Sequence, residues 1–401
     1  MPTPIDEQIR ILKRRCDRII TDQDLARKLE NSAKTGKPLR IKLGMDPTAP
    51  DVTLGHAVPL RVIRQFQDWG HQAVLIIGDY TARVGDPSGV NTTRPVLSGE
   101  QIDANAKTYV AQVGKILRTE PQFLEVRYNG EWLGKMNLLD IIRLAGRKSV
   151  AQVLTREDFA KRYAEGVDIR LHEILYPLLQ GWDSVQIRAD VEMGGSDQLF
   201  NNLVGREFQK EEGQDSQVVF VTPLLVGTDG HMKMSKSKGN YISVTEPPQE
   251  MFGKVMRVPD ALLESYFTLL TDLPDGEFKP LIASDPRHAK SKLARMIVDW
   301  LHGSEAGKAA AEHFQSVIVN REVPAEMPEL RIAPGAHKLP PLLVKAGFVA
   351  SNSEAMRKIK EGAVRLDGEK VIDERRDHSF DKPVVLQLGN RRFVRLVPQS
   401  N

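Results

Sequence analysis

Short apolar runs separated by stretches with a helical period dominate the N-terminal part of this chain. The runs lie at residues 39–44, 73–79, 122–128, 186–193 and 217–224. Strands that alternate with helices in this way build a parallel sheet with helices on its faces, and ligands bind at the carboxyl ends of the strands. The pattern therefore predicts an α/β fold with a Rossmann-like parallel sheet. It also directs attention to the segments that follow each run.

Composition narrows the class of protein. At 401 residues and 41% hydrophobic content, the chain can bury one large core and carry further modules. Its one cysteine, Cys16, excludes an internal disulfide and a zinc site made of several cysteines, and we expect it to pack on a helix face. The N-terminus is charged and no run of about 18 apolar residues occurs. We expect no signal peptide, no membrane span and a cytoplasmic location.

A glycine and a histidine follow the first apolar run. Gly55 and His56 come just before a predicted helix over residues 57–69, which should end before Gly70. A strand, a glycine turn and a helix N-terminus bind anions, because free backbone N–H groups and the helix dipole face the ligand. His56 can donate a hydrogen bond to a phosphate or a ribose. Alone, such a pair is more often a simple turn and cap, so a partner motif is needed.

The partner motif is Lys233-Met234-Ser235-Lys236-Ser237, in which two lysines alternate with small or flexible residues. Lysine binds phosphate as a flexible point charge, which suits a group whose charge moves as pyrophosphate leaves. A solvated basic loop is the alternative. Spelled KMSKS, the segment resembles the signature loop of class I aminoacyl-tRNA synthetases. Thr53-Leu54-Gly55-His56 resembles their HIGH motif, with threonine in place of the first histidine.

Four further stretches resemble tyrosyl-tRNA synthetases in particular. They are GMDPTA at residues 44–49, VGDPSG at 84–89, YPLLQGWD at 176–183 and GGSDQ at 194–198. Spacings of four and seven put Tyr176, Gln180 and Asp183 on one face of a predicted helix. With the KMSKS loop, these four stretches make five motifs in order along the chain. They identify the chain as a member of that family, bacterial type. The resemblance implies a ligase that uses ATP and Mg²⁺ to attach L-tyrosine to tRNA(Tyr).

The resemblance also implies residue roles. Asp183 would accept the phenolic hydroxyl of tyrosine, which must be paired when it is buried. The other tyrosine-binding positions would be Asp86, Tyr176, Gln180 and Gln198. The ATP-binding positions would be Asp46, Gly55, His56, Gly195, Asp197, Lys233 and Lys236. The catalytic set would be Thr48, Thr53, His56, Lys233 and Lys236, without a protein-held metal. The substrate's own carboxylate attacks, so the enzyme mainly positions reactants and stabilises charge.

Three positions depart from the family pattern. Thr53 shortens one phosphate-directed donor, although a hydroxyl can still donate. Lys42 stands where many members have a tyrosine that also contacts the phenolic oxygen. Val90 stands where many have a phosphate-steering lysine, which leaves Arg94 as the nearer cation. Because the acceptors and both loop lysines are present, we expect an active, divergent enzyme.

The remaining parts of the chain also resemble modules of this family. Residues 1–245 would be the catalytic domain and 246–322 a helical anticodon-side domain. Within the first, amphipathic helices at about 130–165 match the family's subunit-contact insertion, which implies a homodimer. These helices carry Leu138, Ile141, Ile142, Val150, Val153 and Leu154. An ordinary helical cover on the sheet is the alternative, and periodicity does not separate the two.

The C-terminal segment concentrates positive charge. Five prolines between residues 324 and 341 predict a linker over 323–338. Residues 339–401 then hold 12 lysines and arginines against 8 acidic residues, whereas the remainder holds 44 against 45. This segment predicts two helices followed by short strands, and it resembles a small α+β S-four-like RNA-binding domain. The predicted RNA contacts are Arg357, Lys358, Lys360, Arg365, Arg391 and Arg392. A merely solvated basic tail is the alternative.

Three other functions were weighed. Asp183 and the basic tail disfavour a tryptophanyl-tRNA synthetase. The intact lysine loop disfavours a catalytically silent RNA-binding relative. HxGH-type nucleotidyltransferases would lack the combination of KMSKS, GGSDQ and tail.

Overall fold

The computed structural model describes residues 3–48, 50–87, 98–319, 327–333, 335–389 and 392–399. It consists of two compact units, Met1–Gly303 and Ser304–Asn401. Within the described ranges, none of the helices has the length and apolar character required to cross a bilayer.

A six-stranded sheet forms the centre of the N-terminal unit, with the strand order β1-β6-β5-β2-β3-β4. Its strands are β1 (Arg18–Ile20), β2 (Arg40–Met45), β3 (Gln72–Ile77), β4 (Leu124–Tyr128), β5 (Val191–Gly195) and β6 (Val218–Thr222). Strands β2 to β6 are parallel to one another and fall on the five apolar runs, which confirms the predicted α/β class. Strand β1 pairs antiparallel with β6. A three-residue edge strand is too short to produce a periodic signal, so the sequence did not indicate it.

The N-terminal unit also contains α-helices. They are α1 (Ile5–Lys13), α2 (Asp22–Thr35), α3 (Leu54–Asp68), α4 (Thr81–Val84), α5 (Gly99–Val113), α6 (Gly130–Leu133), α7 (Leu138–Ala145), α8 (Val150–Val153), α9 (Glu157–Ala164), α10 (Leu171–Ile187), α11 (Leu199–Glu211), α12 (Pro248–Val255), α13 (Leu263–Leu270), α14 (Asp275–Ser284) and α15 (Pro286–His302). Helix α3 begins at Leu54 rather than at residue 57, because Thr53 takes the N-cap position. Its buried face includes Val58, Val62 and Phe66.

Two helices pack unusually closely beside the parallel sheet. On α10, a Cβ added to Gly181 would lie 2.7 Å from the Cγ1 of Val204. On α11, a Cβ added to Gly205 would lie 2.7 Å from the Oγ of Ser184. Both glycines are needed for this approach, since real Cβ atoms do not come so near. The close packing encloses the polar side chains between these helices and β5.

The C-terminal unit is a small α+β module. It comprises α16 (Ser304–His313), a π-helical segment (Phe314–Val319), β7 (Glu329–Ile332), β8 (Ala336–Lys338), α17 (Leu339–Lys345), α18 (Asn352–Lys360), β9 (Val364–Leu366), β10 (Glu369–Val371), β11 (Asp377–Ser379), β12 (Val384–Leu388) and β13 (Arg392–Pro398). Five strands form a sheet of order β10-β9-β12-β13-β7, and β8 pairs with β11. The predicted order of two helices and then strands is confirmed. Asp367 and Gly368, both of which have positive φ, form the hairpin turn between β9 and β10.

The predicted linker contains structure. Strand β7 pairs in parallel with β13, and β8 pairs with β11, so residues 329–332 and 336–338 belong to the C-terminal unit. An edge strand such as β7 tolerates nearby prolines, because one side of its backbone needs no ladder partner. Residues 323–326 and Pro334 lie outside the described residues. The division of the rest of the chain into domains stays a prediction.

Candidate active site

The glycine–histidine and lysine-loop segments lie side by side, although they are far apart in the sequence. Backbone hydrogen bonds of 2.9 Å join residues 52–54 to residues 242–244, which follow the KMSKS loop. At Gly55 an added Cβ would lie 3.5 Å from the Cβ of Met234, so the loop contacts the start of α3 directly. The short backbone pairing therefore places both predicted phosphate-binding segments at one edge of the sheet.

His56 is held in one protonation state. Its Nδ1 lies 3.2 Å from the backbone N–H of Thr53 and 2.8 Å from the Thr53 hydroxyl. A backbone N–H only donates, so Nδ1 is an acceptor and Nε2 carries the proton. Burial lowers the pKa of His56 to about 4, with further lowering from Lys236 and Lys233. His56 is consequently neutral at pH 7 and offers Nε2–H as a donor.

Thr53 has a different contact from the predicted one. Its buried hydroxyl hydrogen-bonds His56 and so orients the imidazole. Since Nδ1 is the acceptor in that bond, the single hydroxyl proton is already used. A direct bond from Thr53 to phosphate would require the hydroxyl to leave His56, and this role of Thr53 stays a prediction.

The two loop lysines have different partners. The Nζ of Lys236 donates to the carbonyl of Asp51 at 2.5 Å and to the Tyr109 hydroxyl at 2.7 Å, and it lies 5.0 Å from the centre of that ring. The Nζ of Lys233 donates to Asp197 Oδ2 at 2.7 Å. Asp197 and Lys233 are thus adjacent, as two residues that contact one nucleotide would have to be.

Asp46 follows β2 and lies at the centre of a buried polar cluster. It accepts hydrogen bonds from the Tyr176 hydroxyl at 2.9 Å and from the Thr81 hydroxyl at 2.7 Å. Burial, together with the charges of Asp86 and Asp183, raises the pKa of Asp46 to about 7. Asp46 therefore titrates close to neutral pH.

Asp183 lies on α10 with its carboxylate turned toward the carboxyl end of β4. It is 3% exposed and accepts from Trp132 Nε1 at 2.8 Å and from Asn129 Nδ2 at 3.2 Å. Burial raises its pKa to about 6, and the charge of Lys42 opposes that rise. Each oxygen has one donor, and a carboxylate oxygen has two lone pairs, so Asp183 can still accept from a phenol.

The remaining predicted tyrosine-binding residues form one network. Gln198 Nε2 donates to Asp86 Oδ2 at 2.8 Å, and Arg156 donates to Asp86 Oδ1 at 3.1 Å. Asn201 donates to the amide oxygens of Gln180 and Gln198, each at 2.9 Å. The motifs VGDPSG, YPLLQGWD and GGSDQ therefore meet in a single site.

Lys42 is completely buried and does not point to open space. Its Nζ donates to Glu192 Oε1 at 2.7 Å, to the Ser184 hydroxyl at 2.7 Å and to the carbonyl of Gln180 at 3.1 Å. An ammonium has three N–H donors, and all three are used. Lys42 therefore does not replace the missing second contact to a phenolic oxygen.

Other predicted residues are placed less tightly. Thr48 is half-buried, with its N–H bonded to the carbonyl of Asp46 at 2.8 Å. At Gly195 an added Cβ would lie 2.9 Å from Asp197 Oδ1, so glycine gives that carboxylate room. Ala49, Val90, Arg94 and Arg391 lie outside the described residues.

In the C-terminal unit, the described predicted RNA contacts lie at the surface. Lys358 is half-buried, whereas Arg357, Lys360, Arg365 and Arg392 are exposed. Ser351 caps the helix that carries three of them.

Several partners in the site were not predicted. Asn129 and Trp132 follow the carboxyl end of β4, and the rule that ligands bind at strand ends could have indicated them. Tyr109 lies on α5 and Arg156 is the residue before α9, and neither stretch of sequence gives a signal of a polar contact. Among the described residues, no group of three or more histidine, cysteine or acidic side chains is arranged to hold a metal ion.

The chain is similar to known tyrosine–tRNA ligases over most of its length. Residues 34–318 match the family model of class I tRNA synthetases (W and Y), and residues 320–396 match the SYY-like C-terminal domain of tyrosine–tRNA ligase. The tyrosine–tRNA ligase of Moorella thermoacetica is 48% identical over 398 residues, covering 98% of this chain and 96% of the relative. That of Thermotoga maritima is 47% identical over 397 residues, covering 98% and 97%.

Solved structures agree. A C-terminally truncated mitochondrial tyrosyl-tRNA synthetase from Aspergillus nidulans has a TM-score of 0.62 at 26% identity, covering 78% of this chain and 93% of its own. The Archaeoglobus fulgidus tyrosyl-tRNA synthetase complexed with L-tyrosine has a TM-score of 0.62 at 23% identity, covering 77% and 100%, which shows the shared fold. By its motifs, its fold and its relatives over nearly the full length, the chain belongs to the tyrosyl-tRNA synthetases of class I.

Proposed function

We propose that this chain attaches L-tyrosine to tRNA(Tyr) in two steps, through a tyrosyl-adenylate. The observation that carries the proposal is the buried carboxylate of Asp183, which has lone pairs available for a phenol at the edge where the two phosphate-binding segments meet. A tyrosine hydroxyl placed there finds the acceptor that burial requires.

In this proposal the amino acid's ammonium lies among the acceptors Asp86, Gln180 and the hydroxyl of Tyr176. The hydrogen bonds that connect Gln180, Gln198 and Asp86 through Asn201 support this placement, because they fix those side chains before the substrate arrives. Preformed partners reduce the ordering that binding requires.

Adenylate formation needs positioned cations more than a side-chain base. The tyrosine carboxylate attacks the α-phosphate, the bond to pyrophosphate breaks, and negative charge builds on the departing group. Neutral His56 donates from Nε2, while Lys233 and Lys236 exchange Asp197 and Tyr109 for phosphate oxygens. Both ammonium groups already donate to side-chain oxygens in the described site, and phosphate oxygens can replace these acceptors. This supports the exchange.

Mg²⁺ enters with ATP in this scheme. The ion typically keeps several waters and binds substrate phosphates together with only one or two carboxylates. Bound there, Mg²⁺ neutralises phosphate charge.

The proposal extends to assembly and location. Leu138, Ile142 and Val150 are 75%, 57% and 58% exposed, and large exposed apolar side chains on neighbouring helices favour a subunit contact. We assign this face to a homodimer of a cytoplasmic enzyme. The exposed cations of the C-terminal unit serve tRNA.

The direct test is ATP–pyrophosphate exchange measured with each of the twenty amino acids, followed by charging of tRNA(Tyr). Tyrosine alone should support exchange well above background. Exchange driven by tryptophan, or no exchange with any amino acid, would overturn the proposal. Sedimentation of wild type and of Leu138→Asp tests the dimer separately, since a charge on that face should shift the population to monomers.

A further inference from the structure

A buried ion pair lies directly behind the predicted phenol acceptor. Lys42 on β2 and Glu192 on β5 are 0% and 1% exposed, and their charged atoms are 2.7 Å apart. Glu192 Oε2 also accepts from the Ser184 hydroxyl at 2.9 Å and from Gln217 Nε2. The pair is therefore fully enclosed and hydrogen-bonded on both sides.

Such pairs add little net stability, because the cost of removing two charges from water offsets their attraction. Their geometry, in contrast, is strongly fixed. Here the geometry includes α10, since Lys42 donates to the carbonyl of Gln180 and to the hydroxyl of Ser184. These two residues are one helical turn apart, and Asp183 lies on that same turn.

Close helix packing keeps water away from this contact. A Cβ added to Gly205 would lie 2.7 Å from Ser184 Oγ and 3.1 Å from Glu192 Oε2. Electrostatic interactions are stronger where water is excluded. A charge at Lys42 therefore acts on Asp183 with little screening.

We propose that Lys42 is a positioning residue for tyrosine selection, which holds the Gln180–Ser184 turn of α10 against Glu192 and orients Asp183 toward the phenol. The inference rests on the proposed function and adds a residue outside the predicted site set. Lys42 does not touch the substrate in this scheme. It acts through Asp183 and Gln180, which do.

The charges around Asp183 support this role. Burial raises the pKa of Asp183 to about 6, the charge of Lys42 lowers it and that of Glu192 raises it. The other ionisable groups near this carboxyl are Asp46, which follows β2, and Tyr176 on α10. The groups that face it after β4 are the neutral donors Trp132 and Asn129. Lys42 is the one cation in this described set, and it favours the ionised acceptor.

The test is the ratio of kcat/KM for tyrosine to kcat/KM for phenylalanine, measured by exchange from pH 5.5 to 8.5. Phenylalanine has no hydroxyl, so the ratio isolates the phenol acceptor from the titration of Asp46. Three variants are compared, Lys42→Met, Glu192→Gln and the double variant. Lys28→Met is the matched control, because Lys28 is another buried lysine, 2% exposed and paired with Asp190 and Asp215.

In Lys42→Met the ratio at pH 7 should fall about tenfold, and its pH midpoint should rise by about one unit. In Glu192→Gln the midpoint should fall, because an unbalanced Lys42 favours the carboxylate more strongly. The double variant should lie between them, with a melting temperature near that of wild type. The KM for ATP should stay within about twofold throughout, since only interactions with tyrosine change. Lys28→Met should alter stability and leave the midpoint in place.

Midpoints that stay fixed, or that move in the same direction in both single variants, would overturn the inference and leave a packing role. If Lys42→Met does not fold, the fall in Glu192→Gln and the midpoint of the double variant decide the matter. Wild-type enzyme without tyrosine-dependent exchange would instead contradict the proposed function, whatever the variants do.

Discussion

The two units hold their charged residues in opposite ways. In the N-terminal unit, Asp183 and Lys42 are buried, Asp46 is half-buried, and all three are bonded to fixed protein partners. In the C-terminal unit, Arg357 and Lys360 are both 65% exposed, and their ion pairs with Glu361 and Glu374 lie at the surface. Burying charges costs desolvation free energy and fixes the direction of their hydrogen bonds. Exposed charges stay solvated, so they cost little and fix no direction.

This difference separates selection from attraction. A buried carboxylate with fixed donors accepts only a group that arrives at one place with one geometry. Exposed cations attract any phosphate backbone, and salt screens them. We therefore expect substitutions in the buried site to produce large, substrate-specific and pH-dependent effects. Substitutions in the C-terminal unit should produce small effects that depend on salt.

The largest effect should come from Lys236→Ala. Its ammonium contacts Tyr109 now and should contact the departing pyrophosphate as charge develops. The kcat for adenylate formation should fall by roughly a hundredfold or more, with little change in tyrosine affinity, as for a lost transition-state contact. Pre-steady-state kinetics of adenylate formation measure both the rate constant and the tyrosine affinity.

Lys238→Ala is the matched control for the lysine loop, because Lys238 lies in the same loop and its side chain is exposed. It should reduce kcat by less than about threefold, as expected of a solvated charge. Equal losses in the two variants would show that the loop acts through net charge, and the comparison between units would then fail.

Asp183→Asn should give the next largest effect. Asparagine keeps the volume but presents an amide N–H₂, so one of Trp132 and Asn129 loses its acceptor and the phenol loses a charged one. The preference for tyrosine over phenylalanine should fall by at least about tenfold, mainly through slower tyrosine activation. Gln186→Ala, on the exposed side of α10, should leave the preference unchanged. Full discrimination in Asp183→Asn would place the phenol contact elsewhere.

Titration of Asp46 tests whether the buried charges are as costly as the comparison requires. Its pKa is about 7 in the folded chain against an ordinary 3.8, so the folded state binds more protons than the unfolded state between these values. The contribution of Asp46 to the free energy of unfolding therefore decreases as pH rises from about 4 to 7, by at most about 1.4 kcal/mol per pH unit. The contribution of Asp183 to the free energy of unfolding changes with pH in the same direction. The contribution of His56 changes in the opposite direction, because its pKa is lowered to about 4. The folded state therefore loses stability as pH falls below about 6.5.

In Asp46→Asn the first of these contributions disappears. The free energy of unfolding of the variant, minus that of wild type, should therefore grow with pH between about 4 and 7. Urea unfolding at several pH values measures this difference. A difference independent of pH in Asp46→Asn would show that Asp46 is not desolvated.

Local signals in the sequence predicted much of this molecule. The apolar runs predicted strands β2 to β6. The face shared by Tyr176, Gln180 and Asp183 followed from helical spacing alone. Each of these features depends on residues that are close together in the chain, so a pattern can express it.

Contacts between distant residues could not be predicted in this way. The sequence marked Lys42 as unusual, but nothing in it connected Lys42 to Glu192, because their pairing depends on the adjacency of β2 and β5 in the sheet. The same holds for Arg156 with Asp86 and for Tyr109 with Lys236. The pairing of residues 329–332 with β13 is another such contact, since β7 is a strand only because β13 lies beside it.

The smallest effects should come from the C-terminal unit. Arg357 and Arg365 are exposed, and neither contributes to the hydrophobic core of that unit. Replacing both with alanine should weaken tRNA binding a few-fold at physiological salt and leave tyrosine-dependent exchange near wild type. The slope of log K against log salt should become shallower by about 0.7 to 0.9 for each lost phosphate contact. Filter binding at several salt concentrations measures the slope.

Lys382→Ala removes one exposed positive charge from the same unit at a position outside the predicted contacts. If the tail binds RNA at a defined surface, this variant should leave the slope unchanged, whereas a merely solvated basic tail would respond to each lost charge alike. A loss of exchange in the double arginine variant would contradict the separation of the two units more directly. It would mean that exposed cations far along the chain support the buried site, so the contrast between fixed and solvated charge would no longer divide selection from attraction.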